Sequence, residues 1–257
     1  MESADSMKDV LYEEIFRCED HHWWFVARRS IIKKILSKFL IDRSGDILEI
    51  GCGSGGNLKL LEHYGVVHGI ELDEQARQYA NNRGICTVLP GSLPADIKFH
   101  KMFDLICLFD VIEHIDADLS ALHSVWKKLK SQGKLFITVP AYKFLWSAHD
   151  DVNHHKRRYV KKQLIDLVTA AQFRVLYSSY FNTILFPMIF AIRKLKTRLD
   201  VIERSDLSLP SRSLNWILKS IFSAERFFFP ALSFPFGVSI LLLAEKSDQN
   251  PINSHIR

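Results

Sequence analysis

Apolar side chains recur at Trp24, Ile31, Ile35 and Phe39, with Phe25, Ile32, Leu36 and Leu40 beside them. These spacings of three, four and seven predict an amphipathic helix over 22–41, with Arg28, Arg29, Lys33, Lys34 and Lys38 mostly on its polar side. A shorter helix is expected at 8–17. From Asp46 the period changes. Short apolar runs at 47–51, 66–72, 85–89, 103–109 and 134–139 alternate with polar-periodic stretches at 56–64, 74–83 and 117–130. That alternation predicts βαβ units and a mainly parallel sheet. Right-handed crossovers then bring all the strand C-termini to one edge, where ligands bind. A helix over 161–171 and strands at 173–179 and 238–243 complete the pattern. Residues 180–236 depart from it, mixing aromatic-rich apolar runs with the basic run Arg193-Lys194-Leu195-Lys196-Thr197-Arg198. They read as a helical insertion before the last strand. No internal repeat is visible.

Composition narrows the class without naming it. With 257 residues, 47% hydrophobic and 25% charged, the chain is neither a disordered tail nor a collagen-like fibre. Cys18, Cys52, Cys86 and Cys107 are scattered, as reduced thiols of a cytoplasmic protein are, and the N-terminal residues lack the pattern of a cleaved signal. A net charge of +5 is too mild to argue for nucleic acid. Its location is more telling, because 177–244 holds eight cations against four carboxylates. The uncharged run 227–244 has near-spanning length, but Pro230, Pro235 and Gly237 interrupt it. The insertion therefore reads first as a cap or homodimer surface. Peripheral membrane contact through 180–236, with a membrane-associated location, comes next, and a span last.

ILEIGCGSGGN (47–57) ends the first strand in a glycine turn, where positive φ and close backbone approach favour a bound ligand. Gly51, Gly53 and Gly56 also fit dinucleotide spacing, so a nicotinamide-dependent oxidoreductase is a competing reading. Glu49 weighs against it, since a carboxylate beside the turn suits an ammonium better than a pyrophosphate. Glu71 closes the second strand, where an acid can accept ribose hydroxyls. FDLICLFDVIEHID (103–116) then runs from a strand into an acidic, His-containing turn. In this order the motifs resemble those of class I S-adenosylmethionine-dependent methyltransferases, over roughly 46–176 and a last strand near 238–243.

The resemblance implies a Rossmann-like seven-stranded sheet with one antiparallel strand and helices on both faces. Residues 1–45 would form an N-terminal helical lid, 46–176 and 237–245 the cofactor-binding core, and 177–236 the insertion. It also implies that Glu49, Gly51, Gly53 and Gly55 face the methionine part of S-adenosylmethionine and that Glu71 holds its ribose. Ser92 stands where an acid often lies near adenine, and Asp110 joins the cofactor set. Asp110, Glu113 and His114 look like the E-x-x-E-H segment of ubiquinone-pathway and small-RNA methyltransferases, where such groups accompany a divalent metal. The segment is read here as lining the cofactor pocket, with no metal site.

A methyl transfer to oxygen needs a positioned nucleophile and a proton acceptor. His114, His149, His154 and Tyr142 are the candidate catalytic groups, with Asp150 placed to orient a histidine. Trp24, Trp146, His155, Arg157, Arg158 and Tyr159 are the candidate acceptor-binding residues, the two arginines as an anion clamp. The chain thus reads as a methyltransferase acting at oxygen on a small-molecule, glycan- or lipid-linked acceptor. An RNA methyltransferase and a non-catalytic binding module are the other readings, with only 156–162 strongly basic.

Overall fold

The computed structural model describes residues 13–40, 44–198 and 209–247, without the side chains of 149 and 196–198. Helices α1 (residues 13–18) and α2 (Trp23–Phe39) lead into β1 (Gly45–Ile50), α3 (Leu58–Leu61), β2 (Gly65–Glu71), α4 (Glu74–Asn82) and β3 (Val88–Pro90). There follow β4 (Phe103–Phe109), α5 (Asp118–Lys128), β5 (Leu129–Pro140), α6 (Ala148–Val152), α7 (Lys161–Ala170) and β6 (Phe173–Phe181). Helices α8 (Phe186–Arg198) and α9 (Arg212–Ala224) precede the last strand, β7 (Ser239–Lys246).

The strands form one seven-stranded sheet in the order β3-β2-β1-β4-β5-β7-β6. Only β7 runs antiparallel, paired with β5 on one side and β6 on the other. Period-two alternation along the central strands feeds two separate cores. Leu48, Ile50, Ile106 and Leu108 point to one face and meet Leu122 and Val125 of α5 and Leu164 and Val168 of α7. Ile47, Leu105 and Cys107 point to the other and meet Ile31 and Ile35 of α2, Leu58 and Leu61 of α3, and Phe222 of α9. Burial on both faces explains why these strands read as unbroken apolar runs. The order of β1 and β4 about the chain's reversal leaves a crevice beyond their C-terminal ends.

Several predicted elements differ in extent. The helix expected over 56–64 is only α3, because the glycine turn before it does not wind helically. The strand expected over 85–89 runs instead over Val88–Pro90, the residues that pair with β2. Strand β5 reaches back to Leu129 across a register shift opposite Phe103/Leu105. Strand β6 continues to Phe181, so the inserted helices begin after it rather than at 177 or 180. Of the helix expected at 8–17, residues 8–12 lie outside the described part, as do 199–208 of the insertion. The uncharged run 227–244 divides into an irregular stretch and β7. Among the described residues no helix is long and apolar enough to cross a membrane.

Candidate active site

Where β1 ends, the backbone N–H groups of Gly51 and Cys52 donate to the Ile70 carbonyl at 2.8 and 3.2 Å, turning the chain toward the crevice. Gly53 adopts a φ of +55°, and a Cβ there would meet nothing within 4 Å, so this turn keeps an open side. Behind it, Glu71 accepts hydrogen bonds from the backbone N–H of Gly53 at 2.8 Å and of Asp73 at 2.9 Å. Glu49 is fully buried. One of its oxygens accepts from Asn57 Nδ2 at 2.8 Å, and the other has no partner. Burial pushes the Glu49 pKa up to about 8, against the opposing pull of the Asn57 hydrogen bond and the Arg28 charge.

The N-terminal helices close over this turn. Glu19, just past α1, accepts from Ser54 Oγ at 2.6 Å and pairs with Arg83 at 2.5 Å. Gly56 makes room for it, since a Cβ there would lie 2.0 Å from Glu19 Oε2. His22 caps α2 by accepting from the Trp24 N–H. Arg28, expected on the polar side of that helix, is buried instead. Its guanidinium lies 4.5 Å over the Trp24 ring and forms an ion pair with Asp110. Asp110 holds a φ of +58° just after β4 and also accepts from Thr138 Oγ1 at 3.1 Å. The signal in the sequence was the four-residue step from Trp24 to Arg28, which places both on one helix face.

A second polar cluster forms where the loop after β5 folds back on the turn Ile112–His114. Asp150, fully buried, takes both prongs of Arg158: Nε to Oδ1 at 2.8 Å and Nη2 to Oδ2 at 2.9 Å. Its Oδ1 also lies 2.8 Å from His155 Nδ1. Burial alone would raise the Asp150 pKa, but the bonds from His155 and Arg158 hold it well below the usual carboxylate range. The His155 ring meets the His114 ring edge-on at 4.6 Å. Although His114 keeps an exposed edge, burial of its surroundings and then the neighbouring His155 push its pKa down to about 4. His114 is therefore neutral at physiological pH. Glu113 is fully buried, and neither of its carboxylate oxygens has a hydrogen-bond partner. Glu113, His114 and His155 bring their ligand atoms within 4.8 Å of one another, one carboxylate and two imidazoles that suit Zn²⁺ or Mn²⁺.

One cavity of about 410 Å³ joins the two clusters. Gly51–Ser54, Trp24, Arg28, Asp110, His114, His155 and Arg158 all contribute to its wall. Glu49 and Glu71 stand behind the glycine turn rather than in the wall. Other expected residues are used elsewhere. Ser92 sits in a tight turn closed by backbone bonds to Asp96 at 3.2 and 2.8 Å, away from the cavity. Arg157 pairs with Asp118 at 2.7 Å and with the Asp116 carbonyl, anchoring the start of α5. Tyr159 Oη donates to the same Asp118 at 2.9 Å. Arg158 spends Nη1 on the Ala141 carbonyl and its other prongs on Asp150, so no anion clamp forms. Trp146 Nε1 donates to Asp151, and Tyr142 stacks on Tyr180 at 5.1 Å, neither lining the cavity. His154 also lies outside the wall, and its neighbour His155 takes the oriented position. The side chain of His149 lies outside the described part. Asn182 was not singled out in the sequence, yet it lines the cavity, fully buried, with both amide atoms unpartnered.

Comparison with known proteins adds a lineage to this geometry. Residues 24–178 match a family model described as a methyltransferase domain. Phosphoethanolamine N-methyltransferase 1 of Zea mays is 34% identical over 113 residues, 41% of this chain and 23% of that protein. The ubiquinone biosynthesis O-methyltransferase of Rickettsia canadensis (strain McKiel) is 24% identical over 156 residues, 54% of this chain and 64% of that protein. The chain thus spans less than two thirds of either relative. Among solved structures, the methyltransferase partner in a complex with the Haloferax volcanii Trm112 methyltransferase activator superposes with a TM-score of 0.62. That match covers 96% of this chain and 99% of the other at 16% identity, a likeness of fold.

Proposed function

The chain belongs to the methyltransferase domain family, and from that premise we propose that it transfers the methyl group of S-adenosylmethionine to an oxygen of a small-molecule, glycan- or lipid-linked acceptor. The observation that carries the reading is that one cavity holds both the open glycine turn and a carboxylate-oriented imidazole. The residues fit the cofactor. Gly53 leaves room against its backbone. Behind the turn the Glu49 carboxyl has one unpaired oxygen, and the Glu71 carboxyl has a lone pair left on each oxygen. They place acceptors and negative charge beneath an ammonium and a pair of hydroxyls held on the turn's open side. When bound, S-adenosylmethionine supplies a methyl group already activated by a positive sulfur.

The chain's own groups do the rest. His155, fixed by Asp150 on its Nδ1 side, takes the proton from the acceptor hydroxyl, and Asp150 steadies the imidazolium that forms. His114 lies against it as a neutral ring and leaves the charge on His155. Trp24 and Arg28 wall off water on the α2 side, and Asn182 is free to bond a polar group of the acceptor.

Calorimetry tests the cofactor half. S-Adenosylmethionine should bind, and tight binding of a nicotinamide dinucleotide in its place overturns the reading. With a Glu49 pKa of about 8 in place of the ordinary 4.5, the unbound site is mostly protonated at neutral pH. Binding the ammonium therefore releases up to about one proton, and affinity rises with pH to a plateau above about 8. Buffers of different ionisation enthalpy read that release, and Glu49→Gln should abolish it. The same raised pKa stabilises the ligand-free protein below pH 4.5 and loses that contribution as pH rises toward about 8.

A second reading of the histidine cluster is favoured by the two orphaned oxygens of Glu113. In it Glu113, His114 and His155 would hold a divalent cation, whose charge would make the acceptor hydroxyl more acidic. EDTA then abolishes turnover and Zn²⁺ or Mn²⁺ restores it, whereas turnover resists EDTA if His155 acts as a free base.

A further inference from the structure

The inserted helices expose what a soluble surface normally hides. Twelve of the seventeen large hydrophobic side chains exposed among the described residues lie between Ile184 and Phe236. None of the described side chains of α8 is buried, although its first two turns, FPMIFAI, are apolar all round. A helix of that composition is ordinarily covered on every side. Its outward half carries Pro187, Met188, Ala191, Ile192 and Leu195, the last 58% exposed. On α9 the inward residues Leu218 and Phe222 are buried, while Trp216 and Ile217 face out, Trp216 63% exposed. Phe227, in the short turn that follows α9, is 72% exposed.

Among the described residues the exposed charges around this surface have one sign. Among the described residues of 182–195 and 209–236 the cations are Arg193, Lys194, Arg212, Lys219 and Arg226. The single carboxylate, Glu225, is fully buried and accepts the backbone N–H groups of Asn182, Thr183 and Ile184 at 2.6–2.8 Å. It offers nothing to the outside. Two copies of this face would set cations against cations, which weighs against self-association. Trp, Phe and Leu with Lys and Arg at their margins are what an anionic lipid interface accepts, apolar groups below the headgroups and cations among them.

The face also adjoins the site. Ile189, Ile192 and Arg193 of α8 line the cavity, and at the other rim Asn215 of α9 accepts from the Trp23 N–H at 2.8 Å. We infer that the outer faces of α8, α9 and the turn at Phe227 dock on an anionic phospholipid bilayer and present the cavity mouth to it. The docking stands on the surface itself, independent of which group the cavity transfers.

Flotation of the full chain with vesicles tests it. The chain should float with vesicles containing phosphatidylglycerol and stay behind with phosphatidylcholine alone, and added salt should release it. Removing one cation, Arg212→Ala or Lys219→Ala, should weaken binding about fivefold. Trp216→Ser with Phe227→Ser should weaken it at least about tenfold. Thermal melting and cofactor calorimetry on the same variants, both unchanged, separate lost docking from lost folding and from a failure of the methyl-transfer reading. Absence of flotation at physiological ionic strength overturns the inference. So does flotation indifferent to both sets of changes, or a dimer that Trp216→Ser dissociates.

Discussion

Alanine in place of His155 should lower kcat about 10²- to 10⁴-fold, the range for losing a positioned general base, while S-adenosylmethionine affinity stays within about twofold. The split follows from position. His155 lines the cavity on the Asp150 side, whereas the groups assigned to the cofactor gather at the glycine turn between β1 and β2. His114→Ala should cost less, because His114 shapes the neighbourhood of the base without an acid to orient it. Steady-state kinetics with calorimetry on both variants checks this, and equal losses in kcat and cofactor affinity would place His155 elsewhere in the reaction.

Asp150→Ala should destabilise the fold by about 3–5 kcal/mol, the cost of stranding one member of a buried ion pair. Arg158, 9% exposed, would keep its charge with only the Ala141 carbonyl as partner. Removing both charges is a different experiment. Asp150→Ala with Arg158→Met leaves no buried ion and should recover much of the loss, so the double variant should melt above the single one. It should still be slow, because His155 loses its orienting carboxylate. Thermal melts of the two proteins, with activity alongside, separate the fold's use of Asp150 from the site's use of it. Equal melting temperatures for single and double variants would refute the assignment of the pair.

Much of this was legible in the chain because the sheet imposes strong periodicity. Runs such as FDLICLF can only be strands covered on both faces, and the glycine turn announces the crevice at their ends. The positions of Glu49 and Glu71 at the C-terminal ends of β1 and β2 follow for the same reason, since their places along the chain fix their places in the sheet. The loop after β5 was not. Its histidines, arginines and aromatics are dense in the sequence, yet which of them faces the cavity depends on the hairpin that sets Asp150 against Arg158. A one-residue change of direction put His155 inside and His154 outside. Arg157 and Tyr159 then fell to Asp118, a partner 39 to 41 residues away that no local spacing reveals. Arg28 was misjudged through the usual expectation that arginine on an amphipathic helix faces water. Asn182 gave no local cue at all, because its burial comes from the way β6 ends beneath the inserted helices.

Helix α2 has a double duty that decides how the cavity exchanges its contents. Ile31 and Ile35 lock its middle into the sheet, and the Arg28–Asp110 pair ties its second turn to the end of β4. A wall fastened in both places is a fixed jamb. Helix α8, with none of its described side chains buried, is fastened far more lightly on the opposite side. The α8 wall is therefore the one expected to yield when the cavity fills or empties, so cross-linking α8 to the core should slow exchange more than any further fastening of α2.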